Sequence, residues 1–328
     1  MKLRTELKLP ASDWRISHKD GIVLLGSCFA SQMGARLQKR HFPALVNPFG
    51  ITYHPIPLLN TLQLLLQLPE EPQAAATLEG SLFYQNESWG SFHFHSEMNR
   101  KTKEEFMENV HEVATSFKNA LEKARYLILT LGTAIAHNHN QLHIPVANCH
   151  RFPQAQFQQQ ITPTTTLQDH LKNHLQLLQS RFPKLRILTT VSPIRHIRSG
   201  IIENGASKAT LRAACHHLTQ TLPNLRYFPS YEIMLDDLRD YRFYEADLIH
   251  PNALATDYIW QRFGEAYFDE HTQATNQEIE QLHQDLGHRS RNPESNAHKE
   301  FLRKIGDRIT AFEKQFDMSW EREVLKQM

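Results

Sequence analysis

The sequence predicts an α/β fold with a doubly wound parallel sheet, because short apolar runs alternate along the chain with long stretches of helical spacing. Four runs are typical of buried strands: 21–25, 126–131, 186–191 and 225–228. The predicted helices follow them: one after the first strand with Phe29, Met33 and Leu37 on one face, then 58–68, 104–123, 167–181 and 207–222. Ligands of such folds bind beyond the carboxyl ends of the strands, so functional residues are expected there.

Composition narrows the class of protein. The 328 residues include 36 Lys and Arg against 35 Asp and Glu, and 40% of the residues are hydrophobic. The neutral balance argues against a nucleic-acid partner, and no basic run marks an arm or a membrane patch. The strongest apolar run, 58–68, is too short to cross a bilayer. A globular protein without nucleic-acid partner or membrane span is therefore predicted.

Cysteine usage predicts a reducing, cytoplasmic location. Cys28, Cys149 and Cys215 are an odd set in a long chain and make no disulfide framework. The first ten residues alternate charged and apolar side chains, without the apolar segment of a signal peptide. Each cysteine is therefore a buried side chain, a metal ligand or a nucleophile.

The turn after the first strand, Gly26-Ser27-Cys28, is the first candidate for chemistry. Glycine permits a sharp strand-to-helix turn, and a thiol at the start of a helix is expected to have a lowered pKa. The alternative is a structural cysteine beside a helix cap. We keep both interpretations at this point.

The second candidate is Asp247 with His250, three residues later and followed by Pro251. A carboxylate at this spacing can orient an imidazole, which can then deprotonate a nucleophile elsewhere. Pro251 suits the first position of a following helix. The alternative is that Asp247 caps this helix and His250 is a surface residue.

These residues introduce a family resemblance that covers about residues 15–270. Gly26 to Ala30 is the name-giving motif of the GSCFA family, which the chain resembles in further blocks: 47–50, 130–134, 147–150, 190–196 and 227–244. That family is similar to the SGNH/GDSL hydrolases, flavodoxin-like α/β esterases and acyltransferases. The resemblance therefore implies a flavodoxin-like, SGNH-hydrolase-like fold with inserted loops and a helical C-terminal extension.

The resemblance also implies site residues. The nucleophile position of the SGNH block falls on Cys28, with the adjacent Ser27 as a rival, and the final Asp-x-x-His block falls on Asp247 and His250. The Gly-x-Asn-Asp block corresponds to residues 132–135, where the oxyanion-hole Asn is missing. Gly50 is the proposed backbone donor of the second SGNH block, and Asn148, in the inserted loop, is the proposed replacement for the missing amide.

Arg195 and His196 follow the strand 186–191 and are predicted to bind substrate. An arginine there can hold a carboxylate or phosphate bidentately, and His196 can donate to a substrate oxygen. The alternative for Arg195 is an ion pair with the acidic loop 236–240.

A histidine group is the remaining compositional feature. Its six members are His93, His95, His137, His139, His143 and His150. They lack accompanying carboxylates at ligand spacing, so no metal and no cofactor are predicted, although metal binding by this group stays a rival hypothesis.

The chain divides into a predicted SGNH-like domain, 1–270, and a helical extension, 271–328. The last helix carries Phe301, Ile305, Ile309, Phe312 and Phe316 at helical spacing. This face either packs on the domain, which we favour, or forms a homodimer contact.

The predicted function is an esterase or acyltransferase acting on a small-molecule or glycan acyl substrate. Cys28 or Ser27 would attack, His250 would act as base and acid, and Asp247 would orient it. The alternative is a catalytically silent SGNH-like module that binds a saccharide or small acid.

Overall fold

The central element is a sheet of five parallel strands, in the computed structural model that describes residues 4–328. The strands, in spatial order, are β2 (Ala44–Val46), β1 (Gly21–Gly26), β5 (Ala124–Leu131), β8 (Arg186–Val191) and β9 (Leu225–Tyr227). Taken in chain order these five strands run 2-1-3-4-5, the flavodoxin-like order. The predicted fold class is confirmed, and the four predicted strands are present within one to two residues. Residues 1–3 belong to the N-terminal stretch from which the cytoplasmic location was predicted, and they lie outside the described residues.

Eleven helices accompany the sheet in residues 4–328. They are α1 (Cys28–Gln38), α2 (Pro55–Gln67), α3 (Pro72–Glu79), α4 (Lys103–Lys123), α5 (Thr164–Arg181), α6 (Ile201–Thr221), α7 (Ser230–Glu232), α8 (Ala253–Tyr267), α9 (Glu270–Leu286), α10 (Asn296–Phe312) and α11 (Ser319–Lys326). The predicted helices are all found among them. The short strand β2 was not predicted, because three half-buried residues carry no detectable period.

The sheet is buried on both faces, which explains why its strands are continuous apolar runs. In β1, Val23 and Leu25 face the core formed with α2, α4, α5 and α6, whereas Ile22 and Leu24 face the core formed with α1 and α8. Polar side chains are therefore concentrated where the strands end.

Two antiparallel hairpins leave this sheet. The first pairs β3 (Leu82–Gln85) with β4 (Ser88–Ser91), and the second pairs β6 (Ile135–His139) with β7 (Phe157–Ile161). The alternating residues 92–95 follow the first hairpin as a turn, in which the consecutive residues His93 and Phe94 are both buried.

The C-terminal helices form a small core of their own. Leu282, Ile305 and Ile309 pack together in it. The helix α10 ends at Phe312, so Phe316, which the sequence assigned to the same helix, lies beyond its end. Phe316 packs against His18 and His41 of the main body. The tail thus packs intramolecularly, as we favoured, and the homodimer stays an untested prediction. No helix in residues 4–328 is long and apolar enough to cross a membrane.

Candidate active site

The β1–α1 turn is built on a glycine that no other residue could replace without strain. Gly26 has a φ of 127°, and a Cβ there would lie 2.1 Å from the carbonyl oxygen of Thr130. The amide of Ser27 donates to the same carbonyl at 3.0 Å. This close approach of β1 to β5 fixes where α1 begins.

Ser27 and Cys28, the two rival nucleophiles, have different environments. Ser27 is fully buried, and its hydroxyl oxygen accepts a hydrogen bond from the amide of Phe29 as the N-cap of α1. Cys28 is half-buried, and its Sγ lies 3.9 Å from His250 Nε2. The thiol, rather than the hydroxyl, is therefore the nucleophilic group in contact with the imidazole.

Asp247 orients His250 within a tight turn. Its Oδ2 accepts from His250 Nδ1 at 2.6 Å, while its Oδ1 accepts from the amides of Ile249 and His250 at 2.8 and 3.0 Å. The hydrogen bonds from the His250 amide, the His250 ring and the Ile249 amide lower the pKa of Asp247 to about 2. The carboxylate is thus ionised at neutral pH, and holding the proton on Nδ1 leaves the Nε2 lone pair directed at Cys28.

The alternative, in which Asp247 caps the next helix, is wrong. The N-cap of α8 is Asn252, whose side chain accepts from the amide of Ala255 at 3.0 Å. Pro251 precedes this cap, so it does not occupy the first helical position that the sequence suggested. Asp247 is left free to serve His250.

The pKa of the Cys28 thiol is raised, opposite to the sequence expectation. Burial is the main cause, and it outweighs the amides of Cys28 and Phe29, the Tyr53 hydroxyl and the charge of Lys208, which all favour the thiolate. The helix N-terminus is present as predicted, but desolvation of the thiolate dominates. The Cys28 side chain is therefore a neutral thiol at rest.

Tyr53 is a site residue that sequence reasoning missed. Its hydroxyl lies near Cys28, and burial, together with the neighbouring thiol, raises the pKa of Tyr53 to about 12. Its carbonyl accepts from the amide of Gly132 at 2.8 Å, which connects the chain after β2 to the end of β5. The only signal in the sequence was its position three residues after the family block 47–50.

Lys208 is the second residue that was missed. It is 1% exposed, and its ammonium donates to the carbonyls of Gly132 and Ser192, both at 2.7 Å. Burial lowers the pKa of Lys208 to about 7. Lys208 ties together the ends of β5 and β8; the signal was a lysine in the apolar stripe of α6 with Leu211 and Cys215.

His196 lies beyond the carboxyl end of β8, and one of its ring nitrogens is uncommitted, which means that it has no hydrogen-bond partner in the described chain. Its Nε2 is buried without a hydrogen-bond partner in residues 4–328, and a Cβ on Gly132 would come within 3.1 Å of it. Its ring packs edge-on against Tyr53 at 4.9 Å. Burial, with the nearby charges of Lys208 and His250, lowers the pKa of His196 to about 3, so the imidazole is neutral.

Arg195 does not bind the acidic loop 236–240, which was the alternative to its substrate role. Its guanidinium donates to the carbonyl of Leu248 at 3.2 Å, and its amide donates to the carbonyl of Ile249 at 3.3 Å. It also lies over the ring of Tyr244. Arg195 therefore holds the Asp247–His250 turn.

Of the two predicted oxyanion donors, Gly50 has its amide committed to its own turn, and Asn148 lines a separate cavity. The amide of Gly50 donates to the carbonyl of Asn47 at 2.9 Å within its own turn. The Asn148 side chain accepts from the amide of His150 at 2.7 Å and lines a cavity of about 350 Å³ with Arg151, away from the Cys28–His250 contact. Gly50 was assigned from the order of the family blocks, which does not report what its amide already binds.

The histidine group forms no cluster of three metal ligands in residues 4–328. His93 and His150 are buried singly, and His137 Nδ1 lies 3.4 Å from Cys149 Sγ. Cys215 is fully buried in the core, as expected.

Comparison with known proteins places this site in a family. A model described as the GSCFA family matches residues 21–263, and one described as the GSCFA domain protein, C-terminal domain, matches residues 279–328. No curated protein and no solved structure matches the chain. The first match spans well over half of the sequence and includes Gly26-Ser27-Cys28 as well as Asp247 and His250. The chain therefore belongs to the GSCFA family.

Proposed function

We propose that the protein is an esterase or acyltransferase in which Cys28 is the nucleophile, His250 the general base and acid, and Asp247 the residue that orients His250. One observation carries this proposal: Asp247 Oδ2 lies 2.6 Å from His250 Nδ1, and His250 Nε2 lies 3.9 Å from Cys28 Sγ. The contact to sulfur is long for a hydrogen bond, as in many apo active sites, and shortens when substrate is bound.

The reaction proceeds in two halves. Sγ attacks the acyl carbon while its proton moves to His250 Nε2, and the tetrahedral intermediate collapses with that proton transferred to the leaving alkoxide. Water or an acceptor hydroxyl then attacks the thioester, giving its proton to Nε2, and the thiolate leaves and is reprotonated. The products are an alcohol and an acid, or an alcohol and a new ester.

The proton is lost during the attack rather than before it. Because burial raises the pKa of the Cys28 thiol, a thiolate–imidazolium pair is not the resting state. Cys28 thus behaves as a serine nucleophile does, deprotonated by its base as the bond forms.

Three donors are available for the oxyanion. The amide of Cys28 is the first of α1 and has no intrahelical acceptor. The Tyr53 hydroxyl lies near the thiol, and the uncommitted His196 Nε2 belongs to a ring that packs against Tyr53. A neutral imidazole can donate as an amide does, so His196 takes the part of the missing Asn in the Gly-x-Asn-Asp block. Gly50 and Asn148 have no part in this proposal.

The substrate class is a small-molecule or glycan acyl compound. The half-buried thiol lies at the sheet edge, where a compact acyl group can reach it. Arg195 acts on this reaction through the turn that it holds, in addition to its proposed contact with substrate.

The test is turnover of acyl-ester and thioester panels, with labelling by an activity-based acyl probe. Cys28→Ala and His250→Ala are expected to lose about 1,000-fold or more in kcat. Cys149→Ala is the matched control, because Cys149 is also half-buried and contacts a histidine, and it should keep wild-type turnover. Turnover and labelling that survive in Cys28→Ala would contradict the assignment and point to Ser27.

The silent binding module remains a second candidate, favoured by the raised pKa of Cys28. It predicts no turnover on any panel, together with saccharide or small-acid binding that is lost in His196→Ala. Calorimetric titration of wild type and His196→Ala with saccharides and small acids distinguishes the two functions.

A further inference from the structure

Three metal-ligating side chains meet far from Cys28, at a point where the C-terminal helices contact the main body. His41 follows α1, His283 lies in the last turn of α9, and Glu321 lies in α11. Glu321 Oε1 is 3.1 Å from His41 Nε2 and 2.7 Å from His283 Nε2. The ligand atoms all lie within 4.8 Å of one another. Sequence reasoning missed this cluster, because its members are up to 280 residues apart.

Glu321 is buried, and only one of its two carboxylate oxygens has hydrogen-bond partners in the described chain. It is 1% exposed, and its Oε2 has no hydrogen-bond partner in residues 4–328. Its only ion-pair partners in the described chain are the two imidazoles, and no lysine or arginine accompanies it. A buried carboxylate needs a compensating positive charge. A divalent cation bound between the three ligand atoms supplies one.

Both imidazoles are held in place by aromatic rings of the C-terminal region. His41 stacks on Phe316 with ring centroids 5.3 Å apart, and His283 meets Trp320 edge-on at 5.4 Å. His41 also has a φ of 59°, in the left-handed region, which turns its side chain away from the course of α1. The ligands are therefore oriented before any ion binds.

We propose that His41, His283 and Glu321 bind one Zn²⁺ ion that fastens the C-terminal helices to the main body. Two histidines and a carboxylate are a ligand set that zinc takes, with water as the fourth ligand. Tetrahedral bonds of about 2.1 Å place ligand atoms about 3.4 Å apart. The distances from Glu321 Oε1 to the two imidazole nitrogens, 3.1 and 2.7 Å, are close to this spacing, and the two nitrogens, at most 4.8 Å apart, move closer together when the ion binds. Each imidazole then carries its proton on Nδ1 and gives its Nε2 lone pair to the metal.

This site is separate from the proposed nucleophile. His41 lies beyond the C-terminal end of α1, whereas Cys28 is the first residue of that helix. Eleven helical residues separate the two ends by about 16 Å. The ion therefore does not contact the proposed nucleophile; it joins helices α9 and α11 to the end of α1.

Zinc content and affinity test the proposal directly. Full-length protein, stripped with chelator and reloaded with Zn²⁺, is expected to retain one ion per chain after gel filtration, measured by mass spectrometry of the metal. Co²⁺ substitution should give the visible d–d bands of a tetrahedral nitrogen and oxygen site without thiolate charge transfer. Retention of well under one ion per chain would overturn the proposal.

Variants locate the ion. Glu321→Gln preserves the shape of the side chain but removes its charge. This variant and, separately, His283→Ala should each weaken Zn²⁺ binding about 100-fold or more. The matched control removes another close histidine pair, His170 and His174, whose rings stack at 3.9 Å in α5. The control should bind zinc as wild type does. Equal affinity in the Glu321, His283 and wild-type proteins would refute the assignment without requiring any variant to unfold.

Limited trypsin digestion tests the fastening role. Zn²⁺ should slow cleavage after Arg322 in α11, since that helix is held by Glu321. Cleavage after Arg289 and Arg291 is the internal control, because the segment between α9 and α10 bears no ligand. Identical cleavage rates at Arg322 with and without Zn²⁺ would contradict the role.

Discussion

Cys28 is subject to two opposing effects at the residue scale. The start of α1 and the Tyr53 hydroxyl stabilise the thiolate, but burial destabilises it more and raises the pKa. The titratable groups near Sγ come from different elements: His250 from the turn before α8 and Lys208 from α6. The sign of the net effect decides whether Cys28 reacts as a preformed thiolate or as a thiol with a base.

Alkylation of Cys28 should accordingly be slow at pH 7 and rise only above about pH 8.5, the ordinary thiol value. Tyr53→Phe removes a hydrogen bond to the thiolate, so its profile should move further to alkaline pH. Iodoacetamide labelling, read by mass spectrometry at each cysteine, measures both profiles, with Tyr241→Phe, an exposed tyrosine, as control. A Cys28 rate at pH 7 above that of a free thiol would indicate an ion pair instead.

Lys208 makes the free energy of unfolding depend on pH in the alkaline range. Its pKa is about 7 in the folded protein and about 10.4 unfolded, so between these values the unfolded chain binds the extra proton. Stability from this group therefore rises as pH increases from 7 toward 10. In urea unfolding at pH 7, 8 and 9, the free energy of unfolding of wild type should rise relative to that of Lys208→Met. A difference between the two proteins that is constant with pH would refute this prediction.

At the scale of elements, the β1–α1 turn depends on Gly26. Alanine there would combine a φ of 127° with a Cβ 2.1 Å from a backbone oxygen. We expect Gly26→Ala to lower the free energy of unfolding by about 3 kcal/mol. Chemical denaturation checks this.

Gly205→Ala is the matched control for Gly26→Ala. Gly205 lies inside α6 with open space where a Cβ would stand. Alanine there should stabilise the protein by about 0.5–1 kcal/mol. If the two variants had similar stability, the turn would not be under the constraint that its geometry indicates.

The elements were largely predictable from the sequence, and their connections were not. The strands of the sheet and the long helices have local periods, and these were found within a few residues. The bonds that tie the sheet edge together, such as those from Lys208 to Gly132 and Ser192, join residues whose proximity no local pattern reports.

At the scale of the whole molecule, buried histidines predict loss of stability in acid. Burial lowers the pKa of His54 and His196 to about 3, and of His93, His150 and His170 to about 4. Unfolded histidines titrate near 6.5, so below that pH the unfolded chain binds more protons. Stability should therefore fall as pH decreases from about 6.5 to 4.

His93→Phe tests one member of this set. His93 is held neutral by burial alone and should account for about 2 kcal/mol of the loss between pH 6.5 and 5. The variant should lose that much less, measured by urea unfolding at both pH values. His216→Gln, which changes an exposed histidine, is the control and should keep the wild-type slope. Equal slopes in all three proteins would contradict the prediction.

The sequence by itself determined the fold class, the Gly26-Ser27-Cys28 turn and the pairing of Asp247 with His250. Each of these is local: a period of apolar residues, a glycine between strand and helix, or two residues three apart. Such features are encoded over a few neighbours, and short-range sterics enforce them.

Tertiary structure alone decided the rest. The direction of the Cys28 pKa shift, the partner of Arg195, the roles open to Tyr53 and His196, and the His41–His283–Glu321 cluster depend on burial and on contacts across long separations. Cys28 and His250 are 222 residues apart, and His41 and Glu321 are 280 apart. The desolvation of a side chain and the meeting of residues that are distant in the sequence are properties of the folded structure. No single stretch of sequence carries either of them by itself.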